Sequence, residues 1–152
     1  MNYSLFLSSI EDLQYQIKSD FDPDYIVGIS RGGLIPATFL SYKLNTKLYT
    51  LDVELDDMSY TTSNTWMAED AFNGTKILLV DNINDGKVFN WIMEDWKSSF
   101  KPHDEKWISS IFHNNVRFSS LYHQVDSEIE SDYSSILNYN EPITFFWKST
   151  II

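Results

Sequence analysis

Lys76-Ile77-Leu78-Leu79-Val80-Asp81-Asn82-Ile83-Asn84-Asp85-Gly86-Lys87 is the stretch whose reading decides the fold. The apolar run behind Lys76 reads as a strand that ends on Asp81. A second carboxylate follows at Asp85, and Gly86 then turns the chain into a helix. In an open parallel sheet, ligands sit beyond the carboxyl ends of the strands, where turns and helix N-termini converge. Two aspartates there, ahead of a turn whose backbone can face an anion, predict a site for a sugar phosphate and its metal. The same residues also suit a solvated loop that caps the next helix, and the stretch alone does not separate the two readings.

Working outward, Tyr25 to Ile29 is a short apolar strand, Ser30-Arg31-Gly32-Gly33 a turn, and Leu48 to Val53 a further strand. Pro36 suits the first turn of a helix carrying Ala37, Leu40 and Leu44 inward. Ser8-Ser9-Ile10-Glu11 reads as a capping box opening a helix with Ile10, Leu13 and Ile17 on one face, and Pro23 stops it. The polar stretch from Glu54 to Gly74 is expected to be a mobile, lid-like loop. Beyond Gly86, Val88, Trp91, Ile92 and Trp96 recur at helical spacing, an aromatic stripe that belongs to a core. Trp107 to Phe112 reads as another strand, and Ile143 to Trp147 has strand character. Strands alternating with helices predict an α/β fold: an open, mainly parallel sheet flanked by helices, in one domain over 1–152.

Composition narrows the function classes. Hydrophobic residues make up 43% and aromatic residues 16% of the 152, which is the make-up of a folded domain rather than a disordered chain. There is no cysteine, so neither disulfides nor thiolate chemistry is available. The net charge of −11 makes the chain a poor partner for duplex nucleic acid, whose binding depends on Lys and Arg at phosphates, and the expectation is no nucleic-acid partner. A small phosphorylated ligand stays compatible, because backbone N–H groups and a divalent cation meet its charge locally. Met1-Asn2-Tyr3-Ser4 lacks the start of a signal peptide, and no apolar run approaches the roughly 20 residues of a membrane span. The expectation is a soluble, cytoplasmic protein with no membrane partner; its abundant Trp and Tyr are compatible with a homo-oligomer interface.

Two readings compete for the first turn. Gly28-Ile29-Ser30-Arg31-Gly32 matches the G-x-S-x-G nucleophile elbow of serine hydrolases, with Asp81 or Asp85 and His103, His113 or His123 available as partners of Ser30. Against it, the short segment ahead of Gly28 leaves no room for the several strands that normally precede such an elbow. Alternatively, the glycines let the backbone approach a ligand closely and Arg31 supplies a cationic fork, an arrangement suited to pyrophosphate.

Ile26-Val27-Gly28-Ile29-Ser30-Arg31-Gly32-Gly33-Leu34-Ile35-Pro36, followed by Ile77-Leu78-Leu79-Val80-Asp81-Asn82-Ile83-Asn84-Asp85, resembles the type I phosphoribosyltransferases, above all the short xanthine-guanine group. The similarity covers roughly residues 20–115, and Met58-Ser59-Tyr60 resembles the Ser-Tyr of the family's flexible hood loop. The resemblance implies transfer of ribose 5-phosphate from phosphoribosyl pyrophosphate to a nucleobase, purine-type favoured, with substrate-bound magnesium. It implies pyrophosphate binding by Ser30, Arg31, Gly32 and Gly33, and ribose and magnesium contacts at Asp81 and Asn82, with Asp81 as the metal ligand. It implies Asp85 as the catalytic base, Gly86, Lys87, Val88 and Phe89 as the 5-phosphate loop, and Ser59 and Tyr60 as the hood.

The departures from the family are specific. Asn82 stands where an acid is usual, and Gly86-Lys87-Val88-Phe89 replaces Thr-Gly-Gly-Thr, with bulky Val88 and Phe89 where phosphate should lie. A base-recognition lysine expected after the strand ending near Phe112 reads as Asn114, and Glu141 to Trp147 only loosely resembles the base-stacking segment. These changes leave a second reading open: a catalytically impaired, phosphoribosyltransferase-like protein that binds a nucleotide or a partner.

Overall fold

A computed structural model describes residues 1–54, 59–60, 65–99 and 110–149. The elements run α1 (Tyr3–Asp20), β1 (Tyr25–Ser30), α2 (Leu34–Leu44), β2 (Lys47–Glu54), β3 (Ser59–Tyr60), α3 (Thr65–Phe72), β4 (Ile77–Asn84), α4 (Lys87–Ser98), β5 (Val116–Gln124), β6 (Tyr133–Asn138) and α5 (Phe146–Ser149). Among the described residues the sheet has the order β3-β2-β1-β4-β5-β6. Five strands are parallel; β3 alone is antiparallel, pairing Tyr60 with Val53. This is the expected open α/β sheet flanked by helices.

Alternation along the strands builds a core on each face. Ile26, Leu78 and Val80 join Phe6, Ile10, Leu13 and Ile17 of α1 and Ala37 and Leu40 of α2. Val27, Ile29, Ile77 and Leu79 instead join Met67 and Ala68 of α3 and Phe89, Ile92 and Trp96 of α4.

Several sequence expectations are corrected. Helix α1 starts at Tyr3, with the Asn2 Oδ1 accepting from the Leu5 N–H at 2.8 Å; Ser8 lies inside the helix and its hydroxyl donates back to the Leu5 carbonyl. The stretch from Glu54 to Gly74 is not one open loop. It contains β3 and α3, and α3 buries Met67, Ala68, Ala71 and Phe72 in the core. β4 continues through Asp81, Asn82, Ile83 and Asn84 rather than ending on Asp81, because these residues keep pairing with β5. The strand read over Trp107 to Phe112 falls partly outside the described residues; Phe112 makes only an isolated bridge, and the strand that follows α4 is β5. Ile143 to Trp147 is not a strand, since Phe146 opens α5.

This order places a switch point between β1 and β4. From β1 the chain moves to one side, to β2; from β4 it moves to the other, to β5. The β1–β4 pairing ends at Gly28 and Val80, while β4 runs four residues further beside β5, so a crevice opens between the end of β1 and Asp81 to Asn84.

Candidate active site

The crevice is the candidate site, a cleft of about 640 Å³ at the carboxyl edge of the sheet. Its wall from β1 is the Ser30 to Gly33 turn, in which the Gly33 N–H donates to the Ile29 carbonyl at 2.8 Å and the Leu34 N–H to the Arg31 carbonyl at 3.1 Å. The Ser30–Arg31 peptide is cis. A Cβ at Gly33 would overlap the Val80 carbonyl oxygen and lie 2.7 Å from that of Ile29, and one at Gly32 would overlap the Asn82 side-chain amide. Only glycines let this turn sit down on β4, which brings Arg31 next to Asp81 and Asn82. Among the described residues Arg31 makes no ion pair, so its guanidinium is available to an anion.

The wall from β4 supplies the acids. Asp81 is 8% exposed, with one oxygen accepting from the Asn82 N–H at 2.7 Å. Burial pushes its carboxyl up to about 7; the Asn82 N–H opposes this and the nearby Asp85 charge adds to it. Asp85 is exposed at the start of the following turn, its Oδ1 accepting from the Lys87 N–H at 3.0 Å.

Ser30, Arg31, Gly32, Asp81, Asn82, Asp85 and Val88 therefore share one cleft. Gly33 lies beneath it, serving the packing of the turn. The loop residues divide: Val88 lines the cleft, whereas Phe89 is 1% exposed and stacks on Phe118 at 4.4 Å in the core. The expected obstruction of the phosphate position thus falls on Val88 alone. Gly86 and Lys87 do not line the cleft. Ser59 and Tyr60 are described only as backbone in β3; their side chains and Met58 lie outside the described residues, so the hood falls outside as well.

The sequence reading did not assign Gln124, at the end of β5, or Lys148, in α5, to the site, and Trp147 in α5 entered it only as the end of the loosely matching base-stacking segment; all three line the cleft. Two signals pointed to them, the aromatic run Phe145-Phe146-Trp147 and the end of a strand, but β5 was unrecognised. Asn114 is correspondingly displaced. It sits in the turn before β5, at the amino end of that strand and away from the cleft.

Among the described residues the hydrolase reading finds no base. Among the described residues no histidine lines the cleft. His113 pairs with Asp132 at 3.0 Å, which holds its imidazole above the ordinary value, and His123 faces Asn84 on β5, two strands from Ser30 or roughly 10 Å. His103 lies outside the described residues. Among the described residues no group of three or more His, Cys, Asp or Glu could hold a metal by itself, and no helix is long and apolar enough to cross a membrane.

A parallel sheet whose switch-point crevice carries acids on one strand and a glycine turn with an arginine on the next defines an open α/β fold with its ligand crevice at the carboxyl ends of the strands. Known structures make the fold specific. A purine phosphoribosyltransferase from Pyrococcus horikoshii Ot3 superposes with a TM-score of 0.72 at 21% identity, over 97% of this chain and 91% of that one. The Helicobacter pylori xanthine-guanine-hypoxanthine phosphoribosyltransferase gives 0.69 at 20%, over 95% and 89%. A hypothetical protein from Neisseria gonorrhoeae with bound ppGpp gives 0.69 at 18%, over 100% and 89%. No family model and no curated protein sequence matches the chain. The chain has the type I phosphoribosyltransferase fold and is similar to the short purine enzymes.

Proposed function

We propose that this chain is a magnesium-assisted phosphoribosyltransferase, acting on phosphoribosyl pyrophosphate and a purine-type nucleobase. The observation that carries the reading is the convergence of the Ser30 to Gly33 turn with Asp81, Asn82 and Asp85 in one cleft. On this reading, pyrophosphate lies over the turn with Arg31 in charge-assisted contact. Asp81 and Asn82 receive the ribose hydroxyls. Trp147 offers a plane to the base and Gln124 an amide that both donates and accepts. As the bond from the ribosyl carbon to pyrophosphate breaks and one to a base nitrogen forms, Asp85 takes the proton that the nitrogen loses. Asp81, as its carboxylate, would hold a magnesium ion that draws its other ligands from the substrate and water; when bound, the ion would neutralise the leaving pyrophosphate.

Titration calorimetry with phosphoribosyl pyrophosphate, with and without Mg²⁺, tests the binding half. Turnover assays with xanthine, guanine, hypoxanthine and uracil test the rest. Asp85→Asn should cut turnover by about 10²–10⁴-fold and leave donor binding nearly intact. Arg31→Ala should weaken donor binding by about tenfold or more. Equal effects of both variants on binding would remove the separate roles; no turnover and no donor binding in the wild type would end the enzyme reading. One observation favours the alternative, a catalytically impaired nucleotide-binding protein: the Gly86 and Lys87 N–H groups at the start of α4 already have side-chain acceptors.

A further inference from the structure

Asn84 ends β4, and its side chain is bonded in two directions. Its Oδ1 accepts from the Gly86 N–H at 2.8 Å, closing a turn with Asp85 at its centre. Its Nδ2 donates to the Ile129 carbonyl at 2.7 Å and lies 3.0 Å from the Ser131 Oγ and 3.2 Å from the His123 Nδ1. Two of these partners have one role each and fix the amide: the Gly86 N–H can only donate, and the Ile129 carbonyl can only accept. The amide nitrogen therefore faces His123, whose ring proton belongs on Nε2, toward the Glu130 carboxylate at 3.7 Å. Asn84 is 2% exposed and His123 8%, so water is not at hand to replace these bonds.

Ile129 and Ser131 belong to the connection between β5 and β6, and the Ser131 hydroxyl is itself paired with that of Ser120 on β5 at 2.8 Å. The same connection packs against the turn, where a Cβ on Gly86 would lie 3.0 Å from the Ser127 Oγ and 3.3 Å from the Glu128 nitrogen. Asp85 is exposed and lines the cleft; among the described residues its side chain bonds only to the Lys87 N–H of its own turn. What fixes its position is the backbone on either side, and both sides are held through Asn84.

From this we infer that Asn84 is a positioning residue: its buried amide latches the Asp85 turn to the β5–β6 connection, so that a segment remote in sequence sets where the Asp85 carboxylate stands in the cleft. The catalytic consequence rests on the proposed function; the latch does not.

Hydrogen exchange reads the latch. Ser131→Ala removes a partner of the Asn84 amide without touching the Asp85 turn. In this variant the Gly86 amide should exchange about threefold to tenfold faster than in the wild type, measured relative to the Leu79 amide of the central strand to correct for overall stability. An unchanged ratio overturns the inference, because the turn would then hold itself. Turnover reads the positioning. Asn84→Ala should lower kcat by about tenfold to 10²-fold, the scale of a misplaced reacting group, with donor affinity kept within about threefold. In an Asp85→Asn background the same substitution should cost less than about twofold, since no base is left to position. A tenfold loss in both backgrounds overturns the role through Asp85, because a merely structural effect acts in both alike. If Asn84→Ala does not fold, Ser131→Ala takes its place in the cycle, with a smaller loss of the same pattern. If the wild type shows no turnover, the proposed function fails, and exchange at Gly86 still decides the latch.

Discussion

Gly33 leaves no space for a side chain, because the atoms a Cβ would meet are backbone: the Val80 and Ile29 carbonyl oxygens and, at 3.0 Å, the Asp81 Cα. Gly33→Ala must therefore push the turn off β4. Overpacking of this kind costs about 1–3 kcal/mol, and urea unfolding at constant slope would register it. The same shift would carry Arg31 away from Asp81, so ligand binding should fall with stability. Asp81 makes a separate claim through pH. Its folded-state pKa of about 7 lies above the ordinary value of 3.8, so between those values the folded state holds more proton than the unfolded one. Stability contributed by the protonated carboxyl is fully present below about 4 and is lost as pH rises through about 7. Asp81→Asn keeps an acceptor for the Asn82 N–H and carries no charge. In metal-free buffer it should raise stability at pH 8 by on the order of 2–4 kcal/mol and shrink to no effect near pH 4. An unfolding series across that range in which the difference is flat would show that Asp81 titrates normally.

The elements most legible in the sequence were the strand-turn-helix units at Tyr25 to Leu44 and Ile77 to Ser98, where a short apolar run meets glycine and then helical periodicity. They carry much of the cleft lining, which is why Ser30, Arg31, Gly32, Asp81, Asn82 and Asp85, read from sequence as neighbours, line one cleft. β5 was not legible. Ser119 and Ser120 interrupt its apolar pattern, yet both are buried, and the Ser120 hydroxyl is partnered by that of Ser131 at 2.8 Å, a contact across sequence that no local pattern reveals. α3 was hidden for a similar reason: its polar approach, Thr61 to Thr65, reads as loop, while its apolar residues find Leu51 and Val53 of β2 in the core. In α4, one of the residues read as a phosphate loop, Phe89, is a core residue. Phe89→Ala should destabilise the fold by about 3–5 kcal/mol, as for other fully buried aromatics. Thermal unfolding measures that directly, and a loss under about 1 kcal/mol would mean the Phe89–Phe118 stack does not hold α4 to the sheet.

At the scale of the whole molecule, the cleft is assembled from both ends of the chain. The Met1 amino group donates to the Thr144 carbonyl, and the Phe146 N–H donates to the Met1 carbonyl at 3.0 Å, so the segment leading into α5 is tied to the start of α1. Phe6 of α1 meets the rings of Phe146 and Trp147 edge-on, each at 5.6 Å, and Trp147 stacks on Phe145 at 4.4 Å. Trp147 and Lys148 thus reach the cleft on a strap whose position is set by the helix farthest from it in sequence. Shape-conserving changes separate this dependence from general stability. Phe6→Leu retains most of the buried volume but removes the edge contacts, at a cost of about 1 kcal/mol. Phe89→Leu loses a comparable aromatic contact in the core on the opposite face of the sheet. Both variants should unfold at lower temperature, but only Phe6→Leu should also weaken ligand binding, in the same direction as Trp147→Ala and to a smaller extent. Affinities measured for the three variants well below their unfolding temperatures decide the point. If Phe6→Leu binds as the wild type does, the Trp147 wall is held by Phe145 and its own turn, and α1 contributes stability alone.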